Sequence, residues 1–237
     1  MDVRGLTAGY GHAPVVEGLD LSVASGEIVS VLGRNGAGKS TTLMAISGVL
    51  PRAKGAITVD GRVLSGPPHK RSRSDLGLVL EGRSVFAKLS VAQNLKIAGV
   101  SADEVTEIFP ELGKRIGVPA GMLSGGEQQM LSLARAICRR PKALLLDELS
   151  FGLAPVVCDR LFETIRDFAR TSNVAVLLVE QHIAYAADVA DRALVMSEGR
   201  IGLELPGAEL REREEEVEAL YLGGPGATPA DQVAAEG

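Results

Sequence analysis

Ile28-Val29-Ser30-Val31-Leu32 runs directly into Gly33-Arg34-Asn35-Gly36-Ala37-Gly38-Lys39-Ser40, and a helical stretch, Thr41 to Ser47, follows. The eight residues from Gly33 meet G-x-x-x-x-G-K-[ST] at every fixed position, in the strand-loop-helix setting the motif requires. Its glycines let successive backbone N–H groups turn inward onto phosphate oxygens, and the N-terminus of the helix adds a favourable field. Lys39 is placed to reach the β- and γ-phosphates, and Ser40 to ligate Mg²⁺. A glycine-rich turn with a chance Lys-Ser pair would need neither the strand before it nor the helix after it.

A strand buried on both faces needs buried neighbours. Ala143-Leu144-Leu145-Leu146, Val174 to Val179 and Ala193-Leu194-Val195-Met196 are continuous apolar runs separated by helical stretches, and Val157, Leu161, Ile165 and Phe168 share one helix face. Such strands, alternating with helices, predict a parallel sheet covered on both sides. Ahead of it, Leu19, Leu21 and Val23 alternate with Asp20, Ser22 and Ala24, and Ser25-Gly26 turns the chain into the Ile28 strand. Asp60-Gly61, between Ile57-Thr58-Val59 and Arg62-Val63-Leu64, has the chemistry of a tight hairpin turn. From about Leu89 to Leu123 short amphipathic pieces such as Ala102 to Phe109 replace the strand pattern. The expected organisation is one nucleotide-binding domain over 1–222, with a helical insert at about 85–124. A disordered tail is expected over 223–237, where Gly223-Gly224-Pro225-Gly226 opens a stretch without periodicity. Arg211 to Glu218 reads as a solvated helix face.

With 237 residues, 46% of them hydrophobic and 23% charged, the chain can bury a sizeable core, which excludes a disulfide- or metal-stapled miniprotein. A net charge of −5 and only 3% aromatic residues argue against a nucleic-acid partner. The longest apolar runs fall far short of the roughly 18 residues a membrane span needs, and Met1-Asp2-Val3-Arg4-Gly5 opens no signal peptide. An intracellular protein is expected. Cys138 and Cys158 lack the spacing of a metal site or redox pair and read as packing residues.

A phosphate loop needs a second magnesium ligand, and Asp147 ends the Ala143 to Leu146 strand where that carboxylate would sit. Glu148 follows, pointing differently, so one carboxylate can hold the metal while the other orients a water. Leu123-Ser124-Gly125-Gly126-Glu127-Gln128 precedes the helical run Gln129 to Arg139. Ser124 with Glu127 is a capping box, and two glycines inside a cap expose N–H groups to a close anion, which capping alone does not require.

With these residues in place the sequence resembles the nucleotide-binding subunits of ATP-binding cassette transporters, from about Val3 to Leu222. The resemblance implies an α/β fold: a P-loop NTPase (RecA-like) core with an antiparallel β subdomain and a small helical subdomain. It implies Mg·ATP bound and hydrolysed in a head-to-tail dimer, in which Ser124, Gly125 and Gly126 of one subunit close on the γ-phosphate held by the other. Tyr10 matches the aromatic that stacks on adenine. Gly33, Arg34, Asn35, Gly36, Ala37, Gly38, Lys39, Ser40 and Thr41 wrap the phosphates, and Glu81 joins Ser40 and Asp147 at the metal. Lys39, Glu148 and Gln181 carry catalysis, with Glu148 as base.

Glu81-Gly82-Arg83 at the Q-loop position, Ser150 to Pro155 at the D-loop, Val179-Glu180-Gln181 and Tyr221-Leu222-Gly223 resemble one branch, the ATPase subunits of branched-chain amino-acid importers. That branch implies a second ATPase subunit, a paralogue or another copy, two transmembrane permease subunits and, indirectly, an extracytoplasmic solute-binding protein. It further implies an ATPase held peripherally on the cytoplasmic side of the cell membrane. Importers of urea and short amides share these features, and a low-turnover, nucleotide-gated cassette is a further alternative.

The sequence departs from the family pattern at Leu80 and Leu149, where proline is usual, and at the switch histidine. Counting back from Ala190-Asp191-Arg192 puts Gln181 in the switch position and His182 one place late, where a single-residue shift redirects a side chain. Gln181 is therefore expected to meet the γ-phosphate as a neutral donor. Lys70, Arg71 and Arg73 read as a solvated cluster in a Ser/Pro-containing loop, and His69 has no catalytic partner in the sequence.

Overall fold

The computed structural model describes residues 1–11, 13–50, 53–73, 75–82 and 84–221. The tail expected to be disordered, together with Arg83 and Leu222, lies outside them. In chain order the strands are β1 (Asp2–Ala8), β2 (Val16–Ser22), β3 (Ile28–Leu32), β4 (Lys54–Val59), β5 (Arg62–Val63), β6 (Leu76–Val79), β7 (Ala143–Asp147), β8 (Ala175–Glu180), β9 (Arg192–Ser197) and β10 (Arg200–Pro206). The helices are α1 (Lys39–Ser47), α2 (Pro68–Arg73), α3 (Val91–Ala98), α4 (Ala102–Ile108), α5 (Pro110–Gly113), α6 (Gly125–Ile137), α7 (Pro155–Ser172), α8 (Ile183–Val189) and α9 (Glu214–Tyr221).

Two sheets result. A six-stranded sheet has the order β10-β9-β3-β8-β7-β6, and a four-stranded antiparallel sheet the order β2-β1-β4-β5. Within the larger sheet β9, β3, β8, β7 and β6 run parallel, and β10 is antiparallel to β9. Every residue of β3, β7 and β8 is buried, which explains their unbroken apolar runs. Alternation within β3 splits the core: Val29 and Val31 pack with Leu43 and Ile46 of α1 and with the small sheet. Ile28 faces the other way, into a cluster with Leu131 of α6, Leu161 of α7, and Leu95, Val105 and Phe109 of the intervening helical segment. The predicted hairpin turn is present, with Asp60 and Gly61 both at positive φ.

That helical segment, α3 to α5 and a 3-10 turn at Ala120–Met122, is knitted together by a buried amide. Asn94 Oδ1 accepts from the Phe86 N–H at 2.9 Å while its Nδ2 donates to the Phe86 and Ser90 carbonyls. The loop that follows β6 is thereby fixed to α3.

Strands β1, β6 and β10 carry no expectation from the sequence. β6 is a four-residue edge strand, and the β9–β10 ladder is irregular between Ile201 and Leu203, which breaks the two-residue alternation. The acidic run starts helical structure only at Glu214, and Val217 and Leu220 are buried beneath exposed Glu214, Glu215 and Glu218.

The basic cluster needs correction. It lies in α2, not in a loop, and Arg71 is not simply solvated: its Nη1 donates to the Ala45 carbonyl at 3.0 Å and the Ile46 carbonyl at 2.6 Å, and its Nε to the Gly66 carbonyl at 2.9 Å. A cation thus satisfies the carbonyl end of α1, where the helix dipole favours positive charge. Replacing Arg71 by Ala should destabilise the fold by about 1 to 2 kcal/mol, read as a lower urea midpoint, whereas Arg71→Lys should recover only part of the loss because one ammonium cannot span the three carbonyls.

Candidate functional site

Strand β3 ends at Leu32, and α1 begins at Lys39 with no side chain capping its N-terminus. The N-cap is Gly38 at φ 106°, a left-handed conformation that suits glycine, and no side chain of the cap takes up the first-turn N–H groups. Lys39, almost fully buried, donates from Nζ to the Gly33 carbonyl at 2.7 Å and the Arg34 carbonyl at 3.2 Å, and stands 3.8 Å from Glu148 Oε1. Burial lowers the Lys39 pKa, while the carboxylates of Glu148, Asp147 and Glu180 oppose that shift. The Arg34 side chain leads away from this cluster and donates to the Tyr221 carbonyl at the end of α9.

Three more elements converge here. Ser40 Oγ donates to Asp147 Oδ1 at 3.1 Å, joining the start of α1 to the end of β7. Burial pushes Asp147 up to about 6; the Ser40 bond pulls it back, and the charges of Glu148 and Glu81 raise it further. Exposed Glu81, just past β6, therefore acts electrostatically on the same carboxylate. Glu148 has a left-handed backbone, φ 45°, and Gln181 Nε2 donates to its Oε1 at 2.6 Å. His182 is exposed, immediately precedes α8 and lies edge-on to Tyr185 at 5.9 Å, so it is not brought to the carboxylates.

Tyr10 is 62% exposed, and its hydroxyl lies 3.2 Å from Met44 Sδ on α1. It shares a groove of about 320 Å³ with Val15, Asn35, Gly36, Gly38, Lys39, Ser40, Thr41 and Glu148. A larger cavity, about 450 Å³, opens between α2, β6, α3 and α6 and includes His69, Ser84 and Arg135. It contains no residue of the phosphate loop, so the phosphate chemistry belongs to the smaller groove.

Ser124, Gly125 and Gly126 do not line that groove. Ser124 caps α6 in a reciprocal box: its Oγ accepts the Glu127 N–H, and Glu127 Oε2 accepts the Ser124 N–H at 2.8 Å. Gly126 has a packing role the sequence did not disclose. A Cβ there would fall 2.8 Å from Val157 Cγ1, so α6 and α7 meet at this distance only with glycine between them.

Glu180 escaped sequence reasoning as a site residue. It ends β8 at 1% exposure, and its carboxylate accepts the Ser150 N–H at 3.2 Å and the Ser150 hydroxyl at 2.8 Å. Burial pushes its pKa up to about 7 against those bonds, with Glu148 adding to the rise. A carboxylate at the end of an otherwise apolar strand was the available signal.

The pattern that describes the ABC transporter family matches residues 16–150, more than half of the chain. This chain belongs to the ABC transporter family. Relatives include the high-affinity branched-chain amino acid transport ATP-binding protein BraG of Pseudomonas aeruginosa, 43% identical over 91% of this chain and 96% of that one. The probable branched-chain amino acid transport ATP-binding protein LivF of Archaeoglobus fulgidus is 34% identical over 92% and 96%. Among solved structures, an ABC transporter ATP-binding cassette in its ADP conformation superposes with a TM-score of 0.81 at 21% identity, over 94% of this chain and 98% of that one, a likeness of fold. The chain is an ATP-binding and ATP-hydrolysing transport cassette with the P-loop α/β fold. Among the described residues no helix is long and apolar enough to cross a membrane.

Because the folded pKa of Glu180 lies above the ordinary 4.5, its protonated form is favoured by folding. Its stability contribution is therefore full below about pH 4.5, falls as pH rises, and is gone above about 7. Glu180→Gln lacks this dependence. Urea unfolding at pH 5 and pH 8 should show the stability of the parent relative to the variant falling by up to about 3 kcal/mol between the two.

Proposed function

We propose that this chain is an ATPase subunit of an importer for branched-chain amino acids, pairing head to tail with a second cassette and docking on two permease subunits at the cytoplasmic face of the membrane. The reading rests above all on one juxtaposition: Lys39, Ser40, Asp147, Glu148 and Gln181, from three separate strand ends, are linked by direct contacts at the phosphate loop. The solute class is supported by the relatives BraG and LivF, both named as ATP-binding proteins of branched-chain amino acid transport. The permeases, the second cassette and an extracytoplasmic binding protein follow from the family resemblance.

The donor set fits Mg²⁺. Ser40 and Asp147 offer adjacent hard oxygens, and Glu81 adds negative charge at the same carboxylate. Among the described residues no cluster of three His, Cys, Asp or Glu side chains is built to hold a metal, which suits an ion that takes its remaining ligands from phosphates and water. When bound, Mg²⁺ neutralises charge on the β- and γ-phosphates. Lys39 supplies a fixed cation to the same oxygens, and Tyr10, which lines the same groove, offers a ring for the adenine to stack on.

Glu148 accepts the proton of the attacking water, and Gln181 orients its carboxylate and offers an amide donor to the γ-phosphate. Gln cannot take up or release a proton as the usual histidine can, so proton handling rests on Glu148. Ser124, Gly125 and Gly126, remote from the groove of their own chain, are free to serve the partner's nucleotide.

Three measurements test this reading. Uptake of leucine by vesicles carrying the assembled transporter should require this chain and ATP. Glu148→Gln should leave ATP affinity unchanged and lower turnover by about 10²- to 10⁴-fold; an unimpaired rate with normal binding would remove Glu148 from its role. Gln181→Ala should slow the assembled complex while His182→Ala stays near the parental rate, and the reverse ranking would make His182 the switch.

A further inference from the structure

The turn that follows β7 is held in place by a buried acid with no part in the chemistry assigned above. From Glu148 the chain closes a tight turn, in which the Phe151 N–H donates to the Glu148 carbonyl at 3.3 Å. Glu148 opens this turn at φ 45°, a conformation that costs a side-chain-bearing residue on the order of 1 kcal/mol and persists only where its surroundings over-determine it. Its own N–H is tied to the Val179 carbonyl at 2.9 Å. Ser150, two residues on, is buried and gives both its N–H and its hydroxyl to the Glu180 carboxylate. Gln181, the next residue along the chain, gives its side-chain amide to Glu148, so the acid that grips the turn carrying Glu148 adjoins the residue that contacts Glu148.

The chemistry at this position is not what a sheet needs. Ala175 to Val179 fill the rest of β8 with apolar side chains, and burying a carboxyl there carries a desolvation penalty that another valine would avoid. From this we infer that Glu180 is a positioning residue for ATP hydrolysis: through Ser150 it holds the turn that carries the Glu148 carboxylate in register with the Gln181 amide beside it. It touches no substrate. The inference deepens the proposed mechanism and rests on Glu148 acting there as base.

The test compares Glu180→Ala, Glu180→Gln, Ser150→Ala and the double variant Ser150→Ala/Glu180→Ala in the full chain, with Glu148→Gln alongside. Steady-state hydrolysis of Mg·ATP is measured together with ATP affinity, and crystal structures are determined for the two Glu180 variants. Glu180→Ala should lower kcat about 10- to 100-fold with KM and ATP affinity within about twofold, as expected when alignment rather than binding is lost. Glu180→Gln, whose amide oxygen can accept the Ser150 N–H while its NH2 donates to the Ser150 hydroxyl oxygen, should restore most of the rate. The double variant should be no slower than Glu180→Ala alone, because both changes cut one link. In the crystals Glu148 should leave the left-handed region in Glu180→Ala and keep it in Glu180→Gln.

A parental kcat in Glu180→Ala, an unmoved Glu148 in its crystal, or losses that add fully in the double variant would each overturn the inference. A loss seen equally in ATP affinity and not restored by Gln would overturn it too, by making Glu180 merely structural. If Glu180→Ala does not fold, Ser150→Ala carries the same comparison, with an expected kcat loss of about 3- to 10-fold at constant KM. A parental rate in Glu148→Gln would remove the assignment of the base, whereas a dead Glu148→Gln beside a fully active Glu180→Ala would sink this inference alone.

Discussion

Backbone pairing of Leu32 with Glu180, and of Asp147 with Val179, brings three parallel strands to an end at the same height. Parallel ladders allow this because all their strands point one way, so whatever follows each strand emerges at a single edge. The phosphate loop leaves β3, Asp147 and Glu148 leave β7, and Glu180 and Gln181 leave β8. Residues far apart in the chain therefore meet without any loop having to reach for another. A slip of one residue in either ladder would turn Asp147 or Glu180 to the opposite face of the sheet.

The cost of this meeting is electrostatic. Lys39, Asp147 and Glu180 are almost fully removed from water, and each has a pKa displaced toward its neutral form by burial. Each also has named partners: the Gly33 and Arg34 carbonyls, Ser40, and Ser150. Fixed dipoles replace the solvent that these groups have given up, so little reorganisation is needed when phosphate charge arrives. The strained backbone at Glu148 belongs to the same economy, stability given up locally and recovered in the apolar strands beneath.

How far the sequence alone reaches depends on whether a determinant is contiguous. The phosphate loop, its strand and its helix could be read in full because Ile28 to Ser47 is one unbroken stretch whose residue types have a local reason. The register of Gln181 over His182 was also readable, since counting along the chain fixes which of two neighbours points inward. Arg71 was misread because the carbonyls that claim it belong to a helix more than twenty residues earlier, and nothing near Arg71 announces them. The packing of Gly126 against Val157 could not be read beforehand because it is a tertiary fact, one that adds to its reading as an anion-facing residue. β6 and β10 were missed as edge strands, one short and the other bent, which lack the doubly buried run that marks β7 and β8.

The strand order has a consequence for how the molecule is made. β3 lies between β9 and β8, yet both neighbours are synthesised about 150 residues after it. On a ribosome the strand with the phosphate loop emerges early, apolar on both faces, with neither hydrogen-bonding edge occupied. Until β8 and β9 appear it is a sticky ribbon with only α1 and the small sheet for cover. The antiparallel strands β1, β2 and β4 flank it in sequence and pack on the side facing Val29 and Val31, and so act as a guard during translation. Arg34, reaching to Tyr221 at the far end of the described chain, is among the last contacts to form. Nucleotide capture is in this way delayed until β7 and β8 have been made, and a chain truncated before β8 would carry an intact phosphate motif with no finished site to use it.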